Sequence, residues 1–164
     1  MGLATAMAVL LAVLSPLAVA QPAWAITAPE LRGQRSLQDL QPNMHGRNLQ
    51  QQEFLKANLQ DYDFSDADLR GAVFNTAHLE HADLRGADLE DVVAFASRFE
   101  GADLRGAVLR NAMLMNSNFS GAAIEGADFT DAVLDLPQHK ALCARAEGTN
   151  PRTGVATRDS LACR

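Results

Sequence analysis

Three groups of side chains in this 164-residue chain have the types that do chemistry. Aspartates recur between positions 61 and 131, and closely held carboxylate pairs are what general acid–base catalysis is built from. His78, Glu80 and His81 place two imidazoles and a carboxylate close together, a start toward a metal site. His139, Cys143 and Cys163 combine an imidazole with the only two thiols, which are zinc-ligand types. None of the three is complete. The aspartates recur at one position of a regular pattern, for example Asp68, Asp83, Asp88, Asp103 and Asp128, where an Asp pair reads as a solvated ladder. The two histidines lack a third convergent ligand, and the cysteine group lacks a fourth. No glycine-rich phosphate loop, serine nucleophile elbow or cofactor motif occurs. The sequence therefore predicts no catalytic residue, no metal and no cofactor.

The elements that must position these residues follow from an unusual period. From Leu49 to Leu134 a large apolar residue stands at every fifth position, including Phe54, Leu59, Phe64, Leu69, Phe74, Leu79, Leu84, Leu89, Phe99, Leu104, Leu109, Leu114, Phe119, Ile124 and Phe129. Ala94 alone interrupts it. Six of the seven Phe residues lie on this register. Two residues before most centres stands Ala, as at Ala67, Ala72, Ala82, Ala102 and Ala127, so each repeat holds one large and one small inward candidate. A period of five matches neither the 3.6 of a helix nor the 2 of a strand. A fixed period over this length predicts a solenoid in which each layer buries its apolar residue against its neighbours. Tyr62, and the inversion of large and small at Val92 and Ala94, predict local distortion, the second as a bulge in which Phe95 takes part.

Ala67-Asp68-Leu69-Arg70-Gly71, Ala82-Asp83-Leu84-Arg85-Gly86 and Ala102-Asp103-Leu104-Arg105-Gly106 resemble the repeat unit of pentapeptide-repeat proteins. The resemblance covers 47–136. It implies an all-β solenoid, a right-handed quadrilateral β-helix with four pentapeptides per coil, the central residue and the preceding Ala pointing inward.

The ends read differently. Residues 2–20 carry no charge, and Ala23-Trp24-Ala25 offers the small-x-small pattern of a cleavage site, so 1–25 is expected to be a cleaved signal peptide. No stable membrane insertion follows cleavage. The expected remainder is a leader and N-terminal cap over 26–46, the repeat domain over 47–136 and a short α-helical C-terminal cap over 137–164. In that cap one helix is expected over 138–147, ended by Gly148, and a second is expected to be capped by Thr157 and to carry Leu161 and Cys163. Cys143 and Cys163, one in each helix of an exported chain, are expected to form a disulfide. Leu142-Cys143-Ala144-Arg145-Ala146, Gly148, Asn150-Pro151 and Thr153-Gly154 also resemble the C-terminal region of thylakoid-lumen pentapeptide-repeat proteins of cyanobacteria and chloroplasts, which implies the thylakoid lumen or the periplasm.

With 20 residues per coil, each face collects every fourth repeat. Three faces carry Asp, Glu, Arg, His and Asn outward and are expected to be solvated. The fourth, through Phe54, Phe74, Ala94, Leu114 and Leu134, turns Leu55, Val73, Val93, Phe95, Met113, Met115, Val133 and Leu136 outward. Such a stripe marks a covered surface. Its cover is either the chain's own terminal segment or an interface with a protein partner or a second copy. The net charge of −6, with Arg interleaved among Asp and Glu, argues against nucleic-acid binding. The sequence thus reads as a non-enzymatic structural or protein-interaction scaffold. The alternative is taken from another branch of the resembling family: an acidic DNA mimic that inhibits a topoisomerase.

Overall fold

The computed structural model of the protein describes residues 40–164. The expected signal peptide, and the leader up to residue 39, lie outside the described residues.

Each pentapeptide closes with a tight turn and a left-handed residue. The amide after the turn bonds back to the preceding centre, as Ala67 N to Phe64 O at 3.0 Å and Ala87 N to Leu84 O at 3.1 Å. Two residues after each centre φ is positive, from Gly46 (64°) through Asp66 (55°) and Asp91 (58°) to Asp131 (58°). Gly, Asp and Asn tolerate that conformation best, which is why they dominate the fifth position. Successive corners turn the chain, and parallel bridges link residues 20 apart: Asn43 to Asp63, Asp63 to Asp83, and onward to Met113 with Val133. Twenty residues per bridge step at five residues per side give four sides per coil. The stack opens at Asn43, with Met44 buried as its first centre, four residues earlier than the expected boundary at 47. Each side contributes one bridged residue per coil. The β content among the described residues is therefore a set of isolated bridges and not the extended strands that "all-β" suggests.

The interior is a column of centres alternating with alanines. Leu59, Phe64, Leu69, Phe74, Leu84, Leu104, Leu114 and Phe119 are fully buried, as are Ala72, Ala82, Ala87 and Ala107. Stacked phenylalanines fill one coil against the next, Phe54 on Phe74 and Phe99 on Phe119, each with ring centroids 4.8 Å apart. Tyr62 brings no distortion, and at Ala94 the departure is confined to hydrogen bonding: the Ser97 amide turns from Ala94 O to Ser117 Oγ at 2.9 Å, and that hydroxyl donates to Ala94 O. Tyr62 lies half-buried on Phe64, centroids 5.9 Å apart, and Asp63 keeps its bridges to both neighbouring coils. Val92 and Ala94 are both buried, Val93 bridges Val73 and Met113 in unbroken register, and Phe95 stays 48 % exposed. Val in the small position and Ala in the large one conserve the volume of the layer, so no bulge is needed.

Two short helices follow the last coil. α1 spans Leu136–Cys143 and α2 spans Thr157–Ser160. α1 starts two residues before the predicted 138 and stops four before the predicted 147. After it the Arg145 guanidinium is drawn onto Phe119 O at 2.6 Å, a bond to the solenoid edge that overrides local helix propensity. Thr157 is not the cap of α2: Ala156 holds that place without a side-chain bond, and Thr157 is buried at the first helical position, its amide on Gly148 O at 3.0 Å. Leu161 and Cys163 fall just beyond α2. Cys143 and Cys163 are joined in a disulfide with Cα atoms 5.6 Å apart. Among the described residues no helix is long and apolar enough to cross a membrane.

Candidate interaction surface

The polar faces are occupied by their own charges. Asp68 takes two bonds from the Arg70 guanidinium (2.9 and 2.7 Å), and Asp83 with Arg85 and Asp103 with Arg105 repeat the arrangement one face on. The same arginines stand 3.9 Å from the carboxylate of the next coil, Arg70 from Asp88 and Arg85 from Asp103. The Arg70 hydrogen bonds hold the Asp68 carboxyl down at about 2, and Arg85 and Arg105 lower Asp83 and Asp103 in the same way. Arg70, Arg85 and Arg105 are thus each paired with the aspartate of their own repeat, so opposite charges alternate along these two faces.

The histidine groups do not become ligand sets. His78 Nδ1 lies 3.3 Å from Glu80 Oε1, but that oxygen also takes Arg98 Nε at 3.0 Å, and Arg98 is shared with Glu100 at 3.3 Å. His81 is at a corner, its ring against Gly101 of the next coil. His139 Nε2 is bonded to Leu161 O at 2.6 Å, and both cysteine sulfurs are in the disulfide. Among the described residues no group of three His, Cys, Asp or Glu side chains is arranged to hold a metal.

One face expected to be solvated is partly covered. The segment after α1 folds back over the corner of Gly86, Gly106 and Gly126. Asn150 Nδ2 donates to Gly106 O, Ala107 O and Gly126 O at 3.1, 3.0 and 2.9 Å, while its Oδ1 accepts the Arg152 and Thr153 amides. Arg152 reaches Gly86 O at 2.5 Å and Asp88 at 3.2 Å. At Gly126, φ is 70° and Thr149 O lies 3.1 Å from where a Cβ would stand, so any side chain at this corner would have to push the covering segment back. Val108 and Asp128 are buried beneath the segment. Burial pushes the Asp128 carboxyl up, but the Thr130 hydroxyl and amide bonded to Oδ1, with the Thr153 side chain close by, outweigh it and leave the group below its ordinary value. The sequence signalled a turn at Asn150 and nothing of its three-carbonyl grip.

The apolar stripe is where the described residues provide no cover. Leu55 is 48 % exposed, Met113 52 % and Leu136 64 %, and Phe95, Met115 and Val133 are exposed with them. Val73 and Val93 are half-buried between them. The structure splits the sequence-predicted set: Val73, Val93, Met113 and Val133 form one bridged column, with Phe95 and Met115 beside it. Leu55 is set apart by Asn75, whose Oδ1 accepts the Phe95 amide at 3.0 Å. The C-terminal segment, engaged on the Gly86–Gly106–Gly126 corner, does not reach the stripe.

A sequence profile described as pentapeptide repeats matches eight copies over residues 48–93 and 96–131. The thylakoid lumenal protein TL20.3 (chloroplastic) of Arabidopsis thaliana is 66 % identical over 35 residues, 21 % of this chain and 12 % of that protein. A crystal structure of a pentapeptide-repeat protein from the Arabidopsis thaliana thylakoid lumen is 32 % identical, covering 78 % of this chain and 93 % of that one, with a TM-score of 0.42. One from Nostoc PCC 7120 is 35 % identical over 55 % of this chain and 76 % of its own, with a TM-score of 0.51.

Proposed function

The chain belongs to the pentapeptide-repeat family, and from that premise we propose that it is a non-enzymatic scaffold of the thylakoid lumen that presents one flat solenoid face to a protein partner. The winding is taken to be the right-handed quadrilateral coil of the family, closed at its C-terminal end by α1 and α2. The observation that carries the reading is the stripe of exposed Phe95, Met113, Met115 and Val133 on an otherwise polar solenoid. Contiguous apolar surface of that kind on a soluble domain is characteristic of an interaction site. The lumenal relatives and the disulfide support the compartment, since cysteine pairs persist where the surroundings oxidise them. Against the acidic DNA-mimic reading stand the ladder arginines: Arg70, Arg85 and Arg105 each neutralise the aspartate of their own repeat.

The test is the double substitution Val93→Asp and Met113→Asp in the native host. The expected result is loss of the protein's native assembly on gel filtration of gently extracted lumen, with the variant still folded and still localised. An assembly of unchanged size with the variant in it would overturn the reading.

A further inference from the structure

The backbone of the stripe's bridged column is already engaged along the solenoid axis. The amides of Val73, Val93, Met113 and Val133 donate to the coil below at 2.8–3.0 Å, and their carbonyls accept from Phe54, Phe74, Ala94 and Leu114. An extended segment laid on this face would find no ladder to join, and its own N–H and C=O groups would lose water without replacement. A helix satisfies its backbone internally and brings only side chains. Three coil steps separate Val73 from Val133. At about 4.8 Å per step the apolar column is about 14 Å long, and about 10 helical residues at 1.5 Å each span that length.

The border of the stripe sets the charge. Exposed Glu53, Asp91 and Asp131 and half-buried Asp135 stand at its edges with Lys56, while Arg70 and Arg110, one position further out, face Asp68 and Asp128 on the neighbouring side. Two copies of the stripe laid face to face would oppose these acids, and like charges so placed cost affinity. A strip about 14 Å long and one pentapeptide wide is also well short of the about 800 Å² that each partner of a standard interface buries. Both observations disfavour a second copy as the occupant. Met113 and Met115, unbranched and polarizable, suit a surface that fits itself to a ridge of varied side chains.

We propose that the stripe takes the apolar ridge of an amphipathic helix, with about 10 residues in contact and bordered by Lys or Arg, presented by a partner protein. The proposal rests on the reading of this face as an interaction site and names the chemistry of what docks there. Two synthetic 14-residue helices test it, one with a Leu ridge and Lys borders, the other with the same ridge and Glu borders. The readout is the peroxide oxidation rate of Met113 and Met115 in the processed protein, followed by mass spectrometry. The expected result is a roughly tenfold slowing with the Leu/Lys peptide, none with the Leu/Glu peptide, and no slowing at Met115, the probe that remains, in Val93→Asp/Met113→Asp. Equal protection by both peptides, or by neither, overturns the helix proposal. Methionines protected without peptide overturn it too. Independence of protein concentration then assigns the cover to the chain's own leader, and concentration dependence assigns it to a second copy. Failure of the scaffold reading itself is seen separately, as a native assembly that survives the double substitution.

Discussion

At position 68 a carboxylate with two guanidinium bonds illustrates what the repeat does to single residues. Asp68 is held at about 2, below the about 3.9 of an unfolded chain. A depressed carboxyl contributes stability above its unfolded value and loses it as pH falls through its folded value. Asp68 should therefore support the fold fully above about pH 4 and progressively less toward pH 2, with Asp83 and Asp103 acting in the same direction. Asp68→Asn is expected to flatten urea-derived stability between those pH values. Near neutrality it should change stability by less than about 1 kcal/mol, because the pair is solvated. An equally steep acid limb in the variant would refute the assignment. The Val92/Ala94 inversion gives a second case. Ala94→Leu alone overfills a layer whose side chains are already buried and is expected to destabilise by about 1–3 kcal/mol. Adding Val92→Ala restores the common repeat and should bring the loss below about 1 kcal/mol in chemical denaturation. Additive costs in the double variant would mean that volume is not what the inversion conserves.

The C-terminal elements do what another coil would have done. Along the stack each coil supplies partners to the next, and above the last coil side chains take over: Gln138 Oε1 accepts the Phe119 amide at 3.1 Å and Ser160 Oγ the Phe129 amide at 3.0 Å. Leu142 and Leu161 close the apolar column. A solenoid end without such cover would expose both apolar centres and unpaired edge groups. Cys143→Ser opens a loop of sequence separation 20, worth about 3 kcal/mol in the chain-entropy model. Hydrogen exchange should accelerate first at Phe119 and Phe129 and not in the central coils. Uniform acceleration would show that the cap and the stack unfold as one unit. Asn150→Ala removes the donor that serves three carbonyls and should cost about 2–3 kcal/mol, with Val108 and Asp128 becoming exposed. Unchanged exchange at the Val108 amide would sink that role.

For the whole molecule, interior and stripe separate cleanly. The centres are buried in neighbouring layers, whereas Met113 is 52 % and Val133 45 % exposed, with Val93 half-buried at the surface. Val93→Asp with Met113→Asp should therefore leave the thermal midpoint within a few degrees of the parent while abolishing assembly. A large drop in midpoint would mean that the stripe is covered within the chain itself. The period of five, the inward centres and alanines, and the outward set at Leu55, Val73, Val93, Phe95, Met113, Met115, Val133 and Leu136 were all legible in the sequence. So was the disposition of Asp and Arg on the faces. These are local properties: each corner needs its own left-handed residue, and each layer buries its own centre. The tertiary structure alone decided the unbroken register at Ala94, the early end of α1, and the path of the C-terminal segment over Gly86, Gly106 and Gly126. Those outcomes depend on the summed volume of a layer and on carbonyls brought within reach of Asn150 and Arg145 from residues 24 to 44 positions away. No periodicity in the chain encodes such distances.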